Sequence, residues 1–127
     1  MAEHNELGRQ GEEAAIEHLK KAGHTILAQN YRYQKAEVDI ISSYKRFTVF
    51  TEVKLRSSSA FGHPEEFVSS KKRALMKKAA EEYLFTHKID SQIRFDIIAI
   101  TATDKGFNIY HIEDAFFDEE GDDNRYN

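Results

Sequence analysis

Apolar positions change period several times along the chain, and each change marks an element. Leu7, Gly11, Ala15, Leu19 and Ala22 recur at helical spacing and predict a helix over residues 6–22, with Asn5 as N-cap and Gly23 as the stop. Residues 24–33 read as a strand. A hairpin follows, with Val38, Ile40 and Ile41 in one strand, residues 47–55 in the other, and Ser43-Tyr44-Lys45-Arg46 as the turn. Residues 56–64 read as a loop. A second helix is expected from near Glu65 or Ser69 to about His87, with Leu75, Ala79 and Tyr83 on its packed face. Two more strands, 93–101 and 107–112, flank a turn at Asp104-Lys105-Gly106. The order αβββαββ predicts an α/β domain, a mixed sheet flanked by helices.

The hairpin carries charges where apolar residues would be expected. Side chains alternate along a strand, so Glu37, Asp39 and Ile41 share one face, and Phe50, Glu52 and Lys54 share another. An even-length turn sets Val38 and Ile40 with Phe47, Val49 and Val53 on one apolar face, and gathers Asp39, Glu52 and Lys54 on the opposite one. A one-residue slip would mix the two sets.

Two carboxylates on neighbouring strands, with a lysine two residues on at roughly 6–7 Å, suit a divalent metal beside a scissile phosphate. Mg²⁺ takes one or two carboxylates, keeps several waters and completes its shell with phosphate oxygens. An ammonium nearby positions the nucleophile or shields the phosphoryl charge. The plainer alternative is a solvated hairpin face whose cross-strand pairs contribute a few tenths of a kcal/mol.

Glycines at Gly8 and Gly11 each cost about 1 kcal/mol against alanine within a helix, so the backbone there is expected to approach something closely. Glu12 flanks the apolar stripe and can point over the sheet edge toward the hairpin acids; the competing reading is a solvated helical glutamate.

The order Asp39, then Glu52-Val53-Lys54, resembles the metal site of the restriction-endonuclease-like, or PD-(D/E)xK, nucleases. A longer string is more specific. It runs through Gly8-Arg9-Gln10-Gly11-Glu12, Gly23, Asn30-Tyr31-Arg32, Glu37-Val38-Asp39-Ile40-Ile41 and Val49 to Arg56. It continues through Phe61-Gly62-His63-Pro64, Lys71, Ala79, Tyr83-Leu84 and Arg94-Phe95-Asp96. In that order and spacing the chain resembles the YraN family of small bacterial proteins over about residues 6–112. The resemblance implies a nuclease-like fold, with Asp39, Glu52 and the Val53 carbonyl as ligands of Mg²⁺ or Mn²⁺. It also implies Lys54 as the catalytic lysine and Glu12 as the helix-borne acid that completes the site in resolvase-like relatives. One departure is Ala36, where the family usually has glycine.

Composition bounds the alternatives. The 127 residues suit one domain, expected over 1–117, with a single core. Without cysteine there is neither a disulfide nor a thiolate metal site. The six histidines show no HxxxH or HxH spacing, which argues against a local zinc motif; His63 on the loop is the one to watch. No apolar run suits a bilayer and no signal peptide is apparent, so a cytoplasmic protein without a membrane partner is expected.

The net charge of −4 is unevenly placed. Residues 113–127 hold seven acids and one arginine, while the other 112 hold seventeen basic and fifteen acidic side chains. The body is thus mildly basic. Residues 118–127 form an acidic tail with little to bury, expected to be disordered. On the second helix Lys71, Lys72, Arg73, Lys77 and Lys78 place five cations within eight residues. Such a run is commonly a solvated face; beside a carboxylate site it becomes a surface for a nucleic-acid backbone. Arg56, Ser57, Lys71, Lys72 and Lys78 are the candidate contacts, Lys71 first among them. Arg94 and Asp96 read as a structural ion pair.

These features and the resemblance together point to a metal-dependent endonuclease, a hydrolase acting on nucleic acid, with DNA as the first candidate and branched or structured DNA one form of it. Such a site can work in a homodimer, as in branched-DNA resolvases. The alternatives are a non-catalytic nucleic-acid-binding module of the same fold and a protein-interaction domain.

Overall fold

The computed structural model describes residues 6–56 and 68–116. Several expectations fall outside them: the Asn5 cap, Ser57 and the rest of the loop with His63, the alternative helix start at Glu65, and the acidic tail.

The elements follow the expected order. Helix α1 spans Glu6–Lys21, strands β1, β2 and β3 span Thr25–Tyr33, Ala36–Tyr44 and Phe47–Arg56, helix α2 spans Ser70–His87, and β4 and β5 span Gln92–Thr103 and Gly106–Ile112. One five-stranded sheet has the order β1-β2-β3-β4-β5. Only β3 and β4 are parallel; the other neighbours are antiparallel. A parallel pair needs a crossover, and α2 lies within it. The arrangement is the restriction-endonuclease-like fold.

Each helix covers one face of the sheet. Ala15 and Leu19 of α1 pack on Ile40, Ile98 and Ile100. Met76, Ala79, Ala80 and Tyr83 of α2 pack on Val38, Ile41, Phe50, Phe95 and Ile97. The helix stripes are shorter or shifted from those expected. Leu7, in the first turn of α1, is 46 % exposed, and Ala22, just past its end, is also exposed; on α2, Met76 is fully buried and Leu75 only partly.

Local signals set the helix ends. Gly23, at φ +104, follows α1; its N–H donates to Lys20 O and that of His24 to Leu19 O, closing a Schellman turn. Ser69 caps α2, its hydroxyl accepting the Lys72 N–H at 3.1 Å. Gly11 is the point of close approach on α1: a Cβ there would meet Leu55 Cδ1 at 3.4 Å.

The hairpin turn is the two residues Lys45 and Arg46, and the even register holds, from Tyr44 opposite Phe47 to Ile40 opposite Thr51. The single apolar face expected for it does not form. Val38 belongs to the α2-side core, whereas Ile40 and Val53 belong to the α1-side core. The alternation of β2 breaks at Asp39, between Val38 and Ile40, where its ladder with β3 ends at Ile40 and Thr51; across from it β1 carries Asn30 at φ 52, and the β1–β2 register shifts between Ile26 and Ala28.

Candidate functional site

The break in the pleat lies where β2 and β3 stop pairing in the ordinary way. Past Ile40 and Thr51, the Val53 N–H donates to the Asp39 carboxylate at 2.8 Å. A carboxylate thus takes over a main-chain role in the ladder and is fixed in place by it. Burial, the neighbouring Glu52 carboxylate and the charge of Glu12 push Asp39 up to about 7, against the opposing pull of the Val53 N–H and Lys72.

Glu52 is only 5 % exposed. Its Oε2 lies 3.5 Å from Lys54 Nζ and its Oε1 lies 3.4 Å from Lys72 Nζ, so two ammonium groups flank one carboxylate. Oε1 is buried and has no hydrogen-bond partner among the described residues. Such an atom costs free energy unless something else satisfies it. Hard oxygen donors suit Mg²⁺ or Mn²⁺, and an under-satisfied carboxylate oxygen beside a second carboxylate fits such an ion.

The remaining candidates differ in what the structure brings to this point. Glu12 is half-buried on α1, and its charge is felt at Asp39. No three His, Asp or Glu side chains among the described residues are grouped to hold a metal, so Glu12 lies near the pair without forming a three-acid cluster. On α2 it is Lys72 that reaches Glu52, while Lys71 is exposed. Lys78 stands six residues further along the helix, about 9 Å of rise away, beside an open groove with Tyr33, Gln34 and Phe85. Arg56 ends β3, opposite Thr101 of β4.

The structural reading of Arg94 and Asp96 holds. Arg94 Nε and one terminal nitrogen donate to the two Asp96 oxygens at 2.9 and 2.8 Å, and the Asp114 N–H and His111 Nε2 add bonds at 3.0 and 2.8 Å. Burial pushes the Asp96 carboxyl up, but the bonds from His111, Arg94 and Asp114 outweigh it and hold it below the usual range. His111 was not anticipated. An acid in an apolar strand requires partners, and that requirement is the sequence signal for it; its identity is fixed only by the fold.

The family described as "Uncharacterised protein family UPF0102" has a model matching residues 11–100, from the close approach at Gly11 into β4. The chain belongs to the UPF0102 family. This is the YraN family, so the resemblance in the sequence pointed correctly. A UPF0102 protein of Flavobacterium psychrophilum is 49 % identical over 92 % of this chain and 98 % of its own length. One from Christiangramia forsetii is 50 % identical over the same shares. A more divergent UPF0102 protein, from Alkaliphilus oremlandii, is 41 % identical over 87 % of the chain and 97 % of its own length. UPF0102 relatives in bacteria are thus matched nearly end to end. Among the described residues no helix is long and apolar enough to cross a membrane.

Proposed function

We propose that this UPF0102 protein is a cytoplasmic, divalent-metal-dependent nuclease that hydrolyses phosphodiester bonds, with DNA, branched or otherwise structured, as the first substrate to test. The observation that carries the reading is the buried Glu52 carboxylate, flanked by Lys54 and Lys72 beside Asp39, with one oxygen that has no hydrogen bond among the described residues. Two hard carboxylates and two ammonium groups are what a charged phosphate and its counter-ion require.

Asp39, Glu52 and the Val53 carbonyl would hold the ion. A bound Mg²⁺ or Mn²⁺ supplies Lewis acidity and neutralises charge at the scissile phosphate. Asp39 is oriented by the Val53 N–H, so its free oxygen is presented without rotamer searching. Lys54 sits on the same strand as Glu52 and aligns the attacking water by hydrogen bonding. Lys72 leaves Glu52 to meet a phosphate oxygen, an exchange of one anionic partner for another. Glu12 accepts a proton from the water or supports a second ion, and Arg56, Ser57, Lys71 and Lys78 hold the backbone on either side.

The test is calorimetric titration of Mn²⁺ and Mg²⁺ into the protein and into Asp39→Asn, followed by incubation with branched, flapped, single-stranded and duplex substrates. Metal binding that is lost in the variant, together with cleavage by the unmodified chain, is expected. A second reading rests on the two ion contacts of Glu52: a carboxylate already neutralised by two lysines suits a non-catalytic nucleic-acid clamp. Absence of metal binding with nucleic acid present would favour the clamp.

A further inference from the structure

Three histidines from separate elements converge at the α1 face of the sheet. His18 lies in the last turn of α1, His24 closes its Schellman turn, and His111 lies on β5. His24 is committed elsewhere, its Nδ1 bonded to Ser42 Oγ at 2.8 Å and its ring stacked on Tyr44. The other two face each other, with His18 Nε2 3.1 Å from His111 Nδ1. On its far side His111 Nε2 meets Asp96 Oδ2 at 2.8 Å.

This chain of contacts fixes the tautomers. The ionised Asp96 carboxylate only accepts, so a neutral His111 ring carries its proton on Nε2 and presents the Nδ1 lone pair to His18. A carboxylate behind an imidazole is the usual support of a metal-ligating histidine, because it orients the ring and raises its basicity. Asp96 is itself locked by Arg94 and the Asp114 N–H, so the support is rigid. Spacing agrees as well. Two nitrogens each about 2.0–2.1 Å from one ion lie roughly 3.3 Å apart in a tetrahedral shell and about 3 Å apart in an octahedral one.

We propose that His18 Nε2 and His111 Nδ1 form a second metal site, selective for a borderline divalent transition ion such as Zn²⁺, Ni²⁺ or Cu²⁺ and distinct from the oxygen site at Asp39 and Glu52. Imidazole nitrogen selects these ions over Mg²⁺, whereas the carboxylate pair does the reverse. With both rings neutral, binding needs no net proton release: His18 moves its proton from Nε2 to Nδ1, and the two rings turn so that their lone pairs converge on the ion instead of on each other. Water completes the shell, since no third His, Asp or Glu among the described residues is grouped with the pair. The ion would tie α1 to the edge strand β5.

Calorimetric titration with Zn²⁺ at pH 7 tests the site, using the full chain, Asp39→Asn and His18→Gln. His18 is half-buried on a helix, so glutamine is accommodated there without loss of the fold. One equivalent is expected to bind the full chain and Asp39→Asn alike, raising the Tm of both. His18→Gln is expected to weaken binding at least about tenfold, with no Tm rise. A histidine-ring NMR spectrum is expected to shift at His18 and His111 on adding Zn²⁺. Unchanged affinity in His18→Gln, loss of binding in Asp39→Asn, or no Zn²⁺ binding by the full chain overturns the proposal.

Discussion

Lys72 Nζ, from α2, lies 3.4 Å from Glu52 Oε1, from β3, across the face on which α2 packs. An ammonium at that oxygen competes directly with a metal ion for it, and it also offsets the repulsion between Glu52 and Asp39. Lys72→Met is therefore expected to tighten Mn²⁺ binding severalfold while lowering cleavage at least tenfold. Calorimetry beside a cleavage assay reads both, and weaker metal binding would show that Lys72 organises the pair rather than competing at it.

The raised Asp39 carboxyl has a consequence for stability. Its folded-state pKa of about 7 lies above the ordinary 3.8, so the folded chain holds a proton that the unfolded chain gives up. This contribution is complete below about pH 4 and is lost as pH rises toward 7. Asp39→Asn, which keeps an oxygen for the Val53 N–H, lacks that slope. It is expected to be more stable than the unmodified chain at pH 8, by on the order of 1 kcal/mol, with the difference shrinking toward pH 4. Urea denaturation at a series of pH values measures this; a difference independent of pH would contradict it.

Asp96 behaves in the opposite sense. Its carboxyl is held below the usual range, so its contribution is present above the ordinary carboxylate pKa and disappears as pH falls through the folded value. Asp96→Ala leaves the Arg94 guanidinium and His111 without their buried acceptor and is expected to cost about 3–5 kcal/mol. Chemical denaturation at pH 7 gives that figure; a loss under 1 kcal/mol would mean that the cluster contributes little to the fold.

Gly11 separates helix propensity from packing. A methyl group at 3.4 Å from Leu55 Cδ1 is in ordinary contact, so Gly11→Ala is expected to raise stability by about 0.5–1 kcal/mol. Gly11→Leu would push α1 from the sheet and draw Glu12 away from Asp39, lowering both Tm and any cleavage. Thermal melts of the two variants check the pair.

Elements whose causes are local were legible in the sequence. Helical spacing and Gly23 placed the first helix, Ser69 was one of two starts open for the second, and an even-length turn within residues 43–46 set the hairpin register, although β2 runs on to Tyr44. What was not legible came from interactions across the fold. The phase change at Asp39 placed Val38 and Ile40 on opposite faces, which strict alternation does not foresee. Helical rotation of one residue decides between Lys71 and Lys72, and only packing of α2 on the sheet shows that Lys72 reaches Glu52. The His18 and His111 pair is invisible for the same reason, because 93 residues separate them.

The most direct measurement is cleavage of end-labelled branched, flapped, single-stranded and duplex nucleic acids in Mn²⁺ by the unmodified chain, Glu52→Gln and Lys54→Ala, with folding of each verified by circular dichroism. The unmodified chain is expected to cut at least one substrate, and each variant to lose that cutting by at least about a hundredfold. Equal cutting by folded variants, or no cutting by any protein, would contradict a phosphodiesterase centred on Glu52.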